Sequence, residues 1–368
     1  MKKFYLLLTV AIFSYSCDSG DQKTESHNYH GSETEIETVH YDDEVHLKNV
    51  HQLTYGGDNA EAYWSFNNDA LVFQSNNPAW GNKCDQIYVM EMDGVKPSGT
   101  EPALISNGLG RTTCAYFMPG DSTVLFASTH LADLECPPVP ERKEGRYVWP
   151  IYEGYEIFVS DLEGNIVNQL TDNPGYDAEA TLSPDGEKIV FTSTRSGDLE
   201  LYVMDVNGDN LVQITNELGY DGGAFFSPDG SKIVWRASRP QTDEEVSKYK
   251  GLLAEGLVEP TSMELFVANT DGSDPRQITT LGKANWAPFF HPSGEKVLFS
   301  SNHKSERGFP FNIYMIDLDG SNLEQITFDS AFDSFPMFSY DGKYLVFGSN
   351  RNNGRTRSTN LFVAEWVD

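Results

Sequence analysis

The sequence has little positive charge and no long apolar run. Its 368 residues include 26 Lys and Arg against 55 Asp and Glu, which gives a formal net charge of −29. A surface this acidic repels nucleic-acid phosphates and anionic head groups, so no nucleic-acid partner is expected. No apolar stretch reaches the roughly 20 residues that a membrane-spanning helix needs. Aromatic residues make up 12% of the chain, too many for a disordered protein, so a folded domain with a large core is predicted.

Motifs for catalysis and metal binding are scarce as well. The chain has four cysteines and no Cys-x-x-Cys or His-x-x-x-His spacing that would indicate a zinc site. It contains no Gly-x-Ser-x-Gly nucleophile elbow and no phosphate-binding loop. These absences favour a protein without enzymatic activity, and no cofactor is expected.

The first residues predict export and a lipid anchor. Met1–Lys3 is basic, and Phe4–Phe13 is an apolar run too short to span a bilayer, which is typical of a signal peptide. Ser14–Cys17 then resembles a bacterial lipobox, in which Cys17 would carry the acyl chains that hold the protein on a membrane. An ordinary signal peptide with an incidental cysteine is the alternative.

The residues after Cys17 are polar and acidic, with little hydrophobic periodicity, so a flexible tether is expected before the folded domain. The expected location is the bacterial cell envelope, on the outer membrane through the lipid anchor alone, either on its periplasmic side or at the surface. The predicted divisions are a signal peptide at 1–16, the lipidated cysteine and tether at 17–49, and a folded domain at 50–368.

A repeated unit fills the folded domain. Each copy begins with a form of apolar-Ser-Pro-Asp-Gly and continues into an alternating run such as Lys188–Phe191 and a second strand such as Leu201–Asp205. An Asp-Gly or Asn-Gly turn and a short Gln-Ile/Leu-Thr strand usually follow. Alternation of period two between Pro, Gly and Asp turns is typical of short antiparallel strands. Four strands repeated six times predict a six-bladed β-propeller, an all-β fold. The turn motifs of the six copies start at Trp64, Phe117, Leu182, Phe226, Phe290 and Phe338.

The order of the motifs predicts how the ring closes. With the strands of a blade named A to D, the Gln-Ile/Leu-Thr motif is strand D. A copy at Gln52–Thr54 precedes the first A strand, and the chain ends after a sixth C strand at Leu361–Glu365. Residues 50–54 are therefore expected to pair with the last strand and complete the sixth blade, so that no strand edge stays exposed.

The repeated Ser-Pro-Asp-Gly and Gln-Ile-Thr motifs resemble those of TolB-like proteins, whose propellers are related to WD-type repeats. The resemblance covers about 50–368 and implies a six-bladed propeller of the cell envelope that is used for protein binding. TolB itself carries an α/β domain before its propeller and is soluble, whereas this sequence has the export signal and Cys17 in that place. A role in the Tol–Pal system itself is therefore not expected.

Insertions in the repeat predict which face of the propeller is used. Antiparallel strands put the A–B and C–D turns on one face, the turn face, and the B–C and D–A connections on the other, the loop face. The turns are expected to be short throughout, and the insertions are all B–C connections, at 76–85, 129–154, 238–262, 301–310 and 350–359. Since elaborated loops usually carry function, binding is expected on the loop face.

One insertion is expected to contain a helix. Thr242–Glu245 is typical of a helix start. Apolar residues at helical spacing then predict a short amphipathic helix on the ring: Val246, Tyr249, Leu252, Leu253 and Leu257. Covering blade 4 and binding a partner are both open roles for it.

Six residue pairs lie 18 positions apart and join the D–A loop of each blade to the end of its strand B. They are Asn59/Asn77, Thr112/His130, Asp177/Arg195, Asp221/Arg239, Asn285/His303 and Asp333/Arg351. Every Asp is matched with an Arg and every neutral residue with Asn or His, which indicates that the members touch. We predict that the Asp–Arg pairs are structural, tying the D–A loop to the edge of the blade.

Blades 1, 2 and 5 lack the charged pair, and a ligand is expected there. Aromatic rings beside Arg and His suit a peptide or a sugar. Alternatively, these rings pack the long loop down and each histidine caps its neighbouring loop. The residues predicted near the pore on the loop face are Arg111, Thr112, His130, Trp149, Tyr152, Asn285, Trp286 and His303.

Three cysteines remain after Cys17, all predicted on the loop face of blades 1 and 2. In an exported protein one disulfide is expected, which leaves one thiol free. The spacing does not choose among the three pairings, and Cys114–Cys136 is slightly preferred because the long loop can adjust. The candidates are Cys84, Cys114 and Cys136.

A divalent metal at the pore is the alternative to a site without metal. Some polysaccharide lyases are propellers that hold a metal with histidines near the pore, and His130 and His303 would be two such ligands. Carboxylates near the pore would instead suit Ca²⁺, the candidates being Glu61, Asp177, Glu179, Asp221 and Asp333.

The sequence is therefore compatible with two functions. The first is a monomeric, lipid-anchored scaffold that binds an envelope protein, peptide or glycan on its loop face without catalysis. The second is a metal-assisted glycan lyase or hydrolase that uses His130 and His303. The sequence does not identify the ligand.

Overall fold

The computed structural model describes residues 39–99, 101–143, 145–354 and 356–368. The predicted signal peptide, Cys17 and the tether up to residue 38 lie outside the described residues. Six antiparallel sheets of at least four strands follow one another along the chain. The predicted six-bladed β-propeller is therefore confirmed.

The six A strands form the inner ring. Each contacts the A strand of the next blade, and the first contacts the sixth, so they enclose a central channel. The A strands are Asp58–Trp64, Thr112–Phe117, Asp177–Leu182, Asp221–Phe226, Asn285–Phe290 and Asp333–Phe338. The B strands are Ala70–Asn76, Thr123–Ser128, Lys188–Ser193, Lys232–Ser238, Lys296–Ser301 and Tyr344–Ser349.

The C and D strands complete each blade toward the outside. The C strands are Gln86–Asp93, Glu156–Asp161, Glu200–Asp205, Met263–Asn269, Asn312–Asp317 and Asn360–Trp366. The D strands are Ala103–Leu104, Ile166–Gln169, Val212–Gln213, Arg276–Gln277, Glu324–Gln325 and, for blade 6, Leu47–Gln52. The C–D connection of blade 1 is longer than expected and carries an extra short strand, Lys96–Pro97.

The ring closes between the two ends of the described chain. Leu47 lies opposite Trp366 and Gln52 opposite Phe362 in an antiparallel pair. The N–H of Leu53 donates to the carbonyl of Leu361 at 2.8 Å. The predicted closure is confirmed, although the strand begins at Leu47 rather than at residue 50.

The tether expected up to residue 49 ends earlier than predicted. The side chain of Glu44 is fully buried, and the Tyr41 hydroxyl donates to the carboxylate of Asp329 at 2.5 Å. Residues 39–49 therefore belong to the propeller. Their partners lie on blades 5 and 6, at the far end of the sequence, which is why hydrophobic periodicity does not reveal them.

The Ser-Pro-Asp-Gly motif builds the A–B turns. In blade 3 the Ser183 hydroxyl donates to the Asp185 carboxylate at 2.5 Å and accepts from the N–H of Lys188 at 2.9 Å. Gly186 has a φ of +72°, which glycine adopts without strain, and the ring of Pro119 from blade 2 occupies the space beside it. The motif therefore closes its own hairpin and packs against the neighbouring turn.

The Gln-Ile/Leu-Thr motif fixes strand D to strand C. The Thr215 hydroxyl accepts from the N–H of Leu201 at 2.8 Å in blade 3. In blade 6, Thr54 from the start of the chain accepts from the N–H of Leu361 at 2.9 Å. The glutamine of the motif donates to the threonine carbonyl, as Gln52 does at 2.8 Å. The N-terminal segment thus makes the same bonds as the D strands of the other blades.

Each blade contributes one large aromatic residue to the core from the middle of strand B. It lies opposite an aromatic residue of strand C, as Phe191 lies opposite Tyr202. Side chains this large, excluded from water, supply much of the driving force for folding. These fully buried residues are Phe73, Phe126, Phe191, Trp235, Phe299 and Phe347.

The long insertions of blades 2 and 4 meet on the loop face. Trp149–Pro150 forms a two-stranded antiparallel sheet with Leu257–Val258. The N–H of Ile151 donates to the carbonyl of Gly256 at 2.7 Å. The two insertions therefore support each other across blade 3.

The predicted helix forms at Asp243–Leu253 and is capped by Thr242 in a capping box with Glu245. Its Tyr249 hydroxyl donates to the carboxylate of Asp198 in blade 3 at 2.5 Å. A single 3₁₀ turn, Pro78–Trp80, lies in the blade 1 insertion. None of the helices in the described ranges is both long enough and apolar enough to cross a membrane.

The disulfide joins Cys84 to Cys136, and Cys114 is a buried free thiol. The preference for Cys114–Cys136 is therefore wrong. Cys84 and Cys136 lie in the loop-face insertions of neighbouring blades, whereas Cys114 is the third residue of an A strand and lies inside the ring. The disulfide ties the long blade 2 insertion to blade 1.

This pairing predicts a simple count of reactive thiols in a Cys17→Ser variant. Burial raises the pKa of the Cys114 thiol well above its usual value, so we expect no reaction with iodoacetamide while the protein is folded. One thiol should react after denaturation without reductant, and three after reduction, as counted by mass spectrometry. A further Cys114→Ser change should leave no reactive thiol before reduction. A peptide that links Cys114 to Cys136 would contradict the pairing.

Candidate functional site

The three Asp–Arg pairs are ion pairs at the loop-face end of their blades. Arg195 donates to Asp177 at 2.6 Å, and the Asp221 carboxylate accepts from two nitrogens of Arg239 at 2.6 and 2.9 Å. All three aspartates are fully buried. Burial raises the pKa of each aspartate, and for Asp221 the value reaches about 6.

The pair in blade 6 has a third member that the sequence did not indicate. Arg351 donates to Asp333 at 2.9 Å and also to both carboxylate oxygens of Glu44, at 2.8 and 3.0 Å. All three side chains are fully buried. The arginine at the end of the last B strand therefore holds the start of the propeller as well as its own D–A loop.

His130 and His303 occupy the places that arginines take in other blades. The guanidinium of Arg195 lies 5.0 Å from the ring centre of Tyr202 on strand C. His130 lies against Phe158 at 4.4 Å and His303 against Tyr314 at 4.5 Å, measured between ring centres.

Both histidines are also hydrogen-bonded to serine hydroxyls of their own strand B, at 2.9 Å. Burial lowers the pKa of each imidazole. The two lie in different blades, 2 and 5. Across the described residues, no group of three or more His, Cys, Asp or Glu side chains has the arrangement of a metal site.

In the three uncharged pairs, the members on the D–A loops are Asn59, Thr112 and Asn285. Their side chains are buried and donate hydrogen bonds to backbone carbonyls. Asn59 donates to the carbonyls of Gly56 and Thr359, both at 3.0 Å. The Thr112 hydroxyl donates to the carbonyl of Asp85 at 3.0 Å, and Asn285 donates to the carbonyl of Met263 at 2.8 Å. These side chains hold the D–A loops in place.

The predicted aromatic residues lie together, but their polar atoms are engaged with the insertions. Trp149 and Trp286 are 5.1 Å apart between ring centres. The Trp286 indole N–H donates to the carbonyl of Pro260, and the Tyr152 hydroxyl donates to that of Pro138, both at 2.9 Å.

Arg111 is ion-paired with Asp85 and lies 5.8 Å from the ring centre of Tyr152. These contacts support the alternative in which the rings pack the long loops onto the ring of blades.

The channel wall carries one left-handed residue per blade. Each A strand contains the first residue of one of the pairs spaced 18 positions apart. Two residues later the strand has a bulge, where its register with strand B shifts. The residue there has a positive φ, which costs energy for all but glycine. The six positions are Glu61, Cys114, Glu179, Gly223, Ala287 and Phe335.

A buried ion pair spans blades 3 and 4 at this level of the channel. Arg236 of strand B in blade 4 is paired with Glu179 of blade 3. Glu179 also accepts from the Tyr220 hydroxyl and the Thr192 hydroxyl, both at 2.7 Å. Although burial opposes ionisation, the charge of Arg236 and these donors hold the pKa of Glu179 below its usual value.

Two consecutive glycines make room for this ion pair. A Cβ on Gly222 would collide with the Glu179 carboxylate, and one on Gly223 would collide with the Arg236 guanidinium. The guanidinium also lies 5.4 Å from the ring centre of Trp149, which connects the channel to the loop-face insertions. Sequence reasoning missed Arg236, and the signal that could have found it is the Gly-Gly step in strand A of blade 4.

Glu61 is the residue of blade 1 at the position that Glu179 has in blade 3. Its Oε2 atom is buried and has no hydrogen-bond partner among the described residues. Burial raises the pKa of Glu61 to about 7, while a hydrogen bond with Cys114 acts in the opposite direction. The channel therefore encloses one carboxylate, Glu179, that is ionised and paired, and another, Glu61, that is neutral below about pH 7.

Large apolar side chains are exposed on the blade 2 insertion. Leu131, Leu134, Val139 and Tyr147 are 63%, 61%, 69% and 51% exposed. The insertion is held by the disulfide at Cys136 and by the strand pair at Trp149–Pro150. Several exposed apolar side chains on one held segment are typical of a binding surface.

Comparison with known proteins supports the architecture. Residues 152–250 match the family model of the TolB beta propeller domain. A putative TolB from Agrobacterium tumefaciens superposes with a TM-score of 0.54 at 19% identity, covering 85% of this chain and 91% of that chain. TolB from Acinetobacter baumannii gives 0.52 at 17% identity, covering 84% of this chain and 63% of that chain. The chain thus has a TolB-like six-bladed propeller.

A weaker structural match is an oligogalacturonate lyase in complex with manganese. Its TM-score is 0.45 at 13% identity, with 87% of this chain and 93% of that chain covered. Likeness at this level carries no statement about activity. No curated protein matches the sequence.

The Asp177–Arg195 pair predicts a strong energetic coupling. Removing either partner leaves an uncompensated charge in a largely buried place, so Asp177→Ala and Arg195→Ala should each lower the free energy of unfolding by about 3 kcal/mol. A double-mutant cycle measured by urea unfolding should give a coupling of at least about 1 kcal/mol. The exposed pair Lys143–Glu255 is the matched control, with an expected coupling below about 0.5 kcal/mol. Additive effects at Asp177 and Arg195 would contradict the prediction.

The raised pKa of Glu61 predicts that the free energy of unfolding decreases as the pH rises. Its pKa is about 7 in the folded protein and about 4.3 when unfolded. The folded state therefore keeps a proton that the unfolded state loses between these values, and the free energy of unfolding falls by about 4 kcal/mol over that interval. The stabilising contribution is complete below pH 4.3 and is lost above pH 7.

Urea unfolding at pH 5 and pH 8 measures this effect. Glu61→Gln keeps an uncharged side chain at both values, so the variant should be clearly more stable than the original chain at pH 8 and similar to it at pH 5. Glu163→Gln, in an exposed turn, should not change the pH dependence. The same pH dependence in the Glu61→Gln variant and the original chain would refute the role given to Glu61.

Proposed function

We propose that this chain is a cell-envelope lipoprotein that binds a partner protein on its loop face and has no catalytic activity of its own. The observation that carries the proposal is the blade 2 insertion, which presents Leu131, Leu134, Val139 and Tyr147 to solvent. The N-terminal sequence, with its short apolar run and Cys17, supports export and lipidation.

The insertion is well held, which favours specific binding. Its start is joined to blade 1 by the Cys84–Cys136 disulfide, and its end pairs with the blade 4 insertion at Leu257–Val258. Tyr152 adds a hydrogen bond to the carbonyl of Pro138. A surface that is already ordered loses little conformational entropy on binding, so more of the contact energy contributes to affinity.

The exposed side chains favour a protein over a glycan. Three of the four are aliphatic, and aliphatic side chains bury well against a protein surface but offer neither an aromatic platform nor hydrogen bonds to sugar hydroxyls. The predicted residues Trp149, Tyr152 and Trp286 then act as supports that hold the insertions in place. The TolB-like fold is compatible with such a binding role.

Site-specific photocrosslinking in cells of the source organism tests the proposal. A photoreactive amino acid at Val139 or Tyr147 should give one discrete adduct with the same partner protein. Val167 and Val212, each 55% exposed on strand D, are the matched control positions and should give none. Leu131→Ser combined with Leu134→Ser should reduce the adduct at Tyr147 at least fivefold.

The proposal fails if all four positions crosslink to the same set of proteins, or if the two loop positions give no adduct. Circular dichroism of the double serine variant separates loss of binding from loss of folding. An adduct that survives the double change would place the contact elsewhere on the loop face.

A further inference from the structure

A pocket of about 150 Å³ lies at the other end of the channel, on the turn face. Its walls include Tyr63, Tyr116, Phe225 and Phe289 from the A strands, and the A–B turns form its rim. A volume of this size holds one benzene-sized group. The pocket lies on the face opposite the proposed partner surface, and the inference drawn from it does not depend on that surface.

The walls of the pocket are continuous aromatic surface. The ring centres of Tyr63 and Tyr116 are 4.9 Å apart, and those of Tyr63 and Phe225 are 5.9 Å apart. Phe289 follows at 5.2 Å from Phe225, edge to face. A group that enters the pocket therefore meets aromatic rings from blades 1, 2, 4 and 5.

The sixth blade adds another ring by a local departure from the repeat. Tyr340 stands where the A–B turns of blades 2 to 5 have proline. It lines the pocket, is hydrogen-bonded to Tyr116 and stacks on Phe66 with ring centres 4.6 Å apart. Tyr340 of blade 6 therefore adds an aromatic ring to the wall at a place where blades 2 to 5 have proline.

The rim of the pocket is negatively charged. Asp185 and Asp229 lie in the turns of blades 3 and 4, and Asp121 in that of blade 2, each held by hydroxyl or backbone N–H donors. These hydrogen bonds lower the pKa of Asp185 and bring that of Asp229 to about 2. In blade 6, Asp341 accepts from the Ser339 hydroxyl in the same way but is also paired with Lys343 at 2.8 Å. The rim therefore attracts cations.

The serine hydroxyls that line the pocket are already engaged and offer little to a primary ammonium. The Ser227 hydroxyl donates to Asp229 at 2.6 Å and accepts from a backbone N–H at 2.9 Å, and Ser339 makes the same pair of bonds. A lysine-type ammonium is strongly hydrated and needs acceptors to replace its water. A quaternary ammonium needs none and is recognised by aromatic faces alone.

One donor at the pocket is unused. Trp64 lines the pocket, and its buried indole N–H has no hydrogen-bond partner among the described residues. This nitrogen is buried from solvent, so recognition in the pocket depends on the aromatic walls and the acidic turns rather than on the indole N–H. Aromatic walls and acidic turns together describe a site for a quaternary ammonium group.

We propose that the turn-face pocket binds the trimethylammonium group of a choline-type ligand. The rings hold the methyl groups through cation–π contacts, and the rim carboxylates add a longer-range attraction. This chemistry is shared by free choline compounds and by phosphocholine lipid head groups.

Isothermal titration calorimetry on the full chain tests the charge requirement without any mutation. The probes are choline, its neutral carbon analogue 3,3-dimethylbutan-1-ol, and butylammonium as a mimic of lysine. Choline should bind at least tenfold more tightly than either of the other two. Equal or tighter binding of the neutral alcohol would overturn the proposal in favour of a simple apolar pocket, and tighter binding of butylammonium would overturn it in favour of a lysine side chain.

Variants then place the binding in the pocket. Phe289→Leu and Tyr340→Leu should each weaken choline binding at least tenfold, whereas Phe309→Leu, an exposed ring on the loop face, should leave it unchanged. Asp185→Asn with Asp229→Asn should weaken binding severalfold and reduce its dependence on salt. The turn of blade 5 has Ser293 at the equivalent place, so these changes are compatible with folding.

Two further results complete the test. No heat of binding with choline up to 50 mM, in protein whose circular dichroism is that of a folded β-protein, would overturn the proposal. Binding to phosphatidylcholine vesicles that free choline displaces would support it and assign the group to a lipid head group. Choline binding without vesicle binding would support it and assign the group to a soluble compound.

Discussion

The ring depends on the bond between its two ends. Strand Leu47–Gln52 completes the blade that Asn360–Trp366 belongs to, so every blade has at least four strands and each A strand has two neighbours. Arg351 strengthens the same junction, because it is bound by Glu44 from the start of the chain and by Asp333 from blade 6. The channel, the turn-face pocket and the position of the loop-face insertions all require this closed ring.

The sequence predicted the architecture because its signals are local and occur six times. Within one turn, Ser183, Asp185 and Gly186 interact with one another, and the same residues return in other blades, so the pattern is visible without knowledge of the fold. The closure was predictable for the same reason, since Gln52 and Thr54 repeat a motif that follows strand C in blades 2 to 5. The Asp–Arg pairs were visible because their spacing is constant.

The sites were harder to predict because their contacts cross from one blade to another. Arg236 belongs to blade 4 and its partner Glu179 to blade 3, and no constant spacing joins them. The same holds for Cys84 with Cys136 and for Glu44 with Arg351. The loop-face residues were placed on the correct blades, yet their neighbours, such as the carbonyl of Pro260 beside Trp286, come from insertions that have no counterpart in the repeat.

The closing strand also sets an order of events for the growing chain. The partner of Leu47 is Trp366, which lies in the C strand of the sixth blade. No nascent polypeptide can therefore complete the ring before residue 366 has been synthesised, and its first strand waits with an unpaired edge until then.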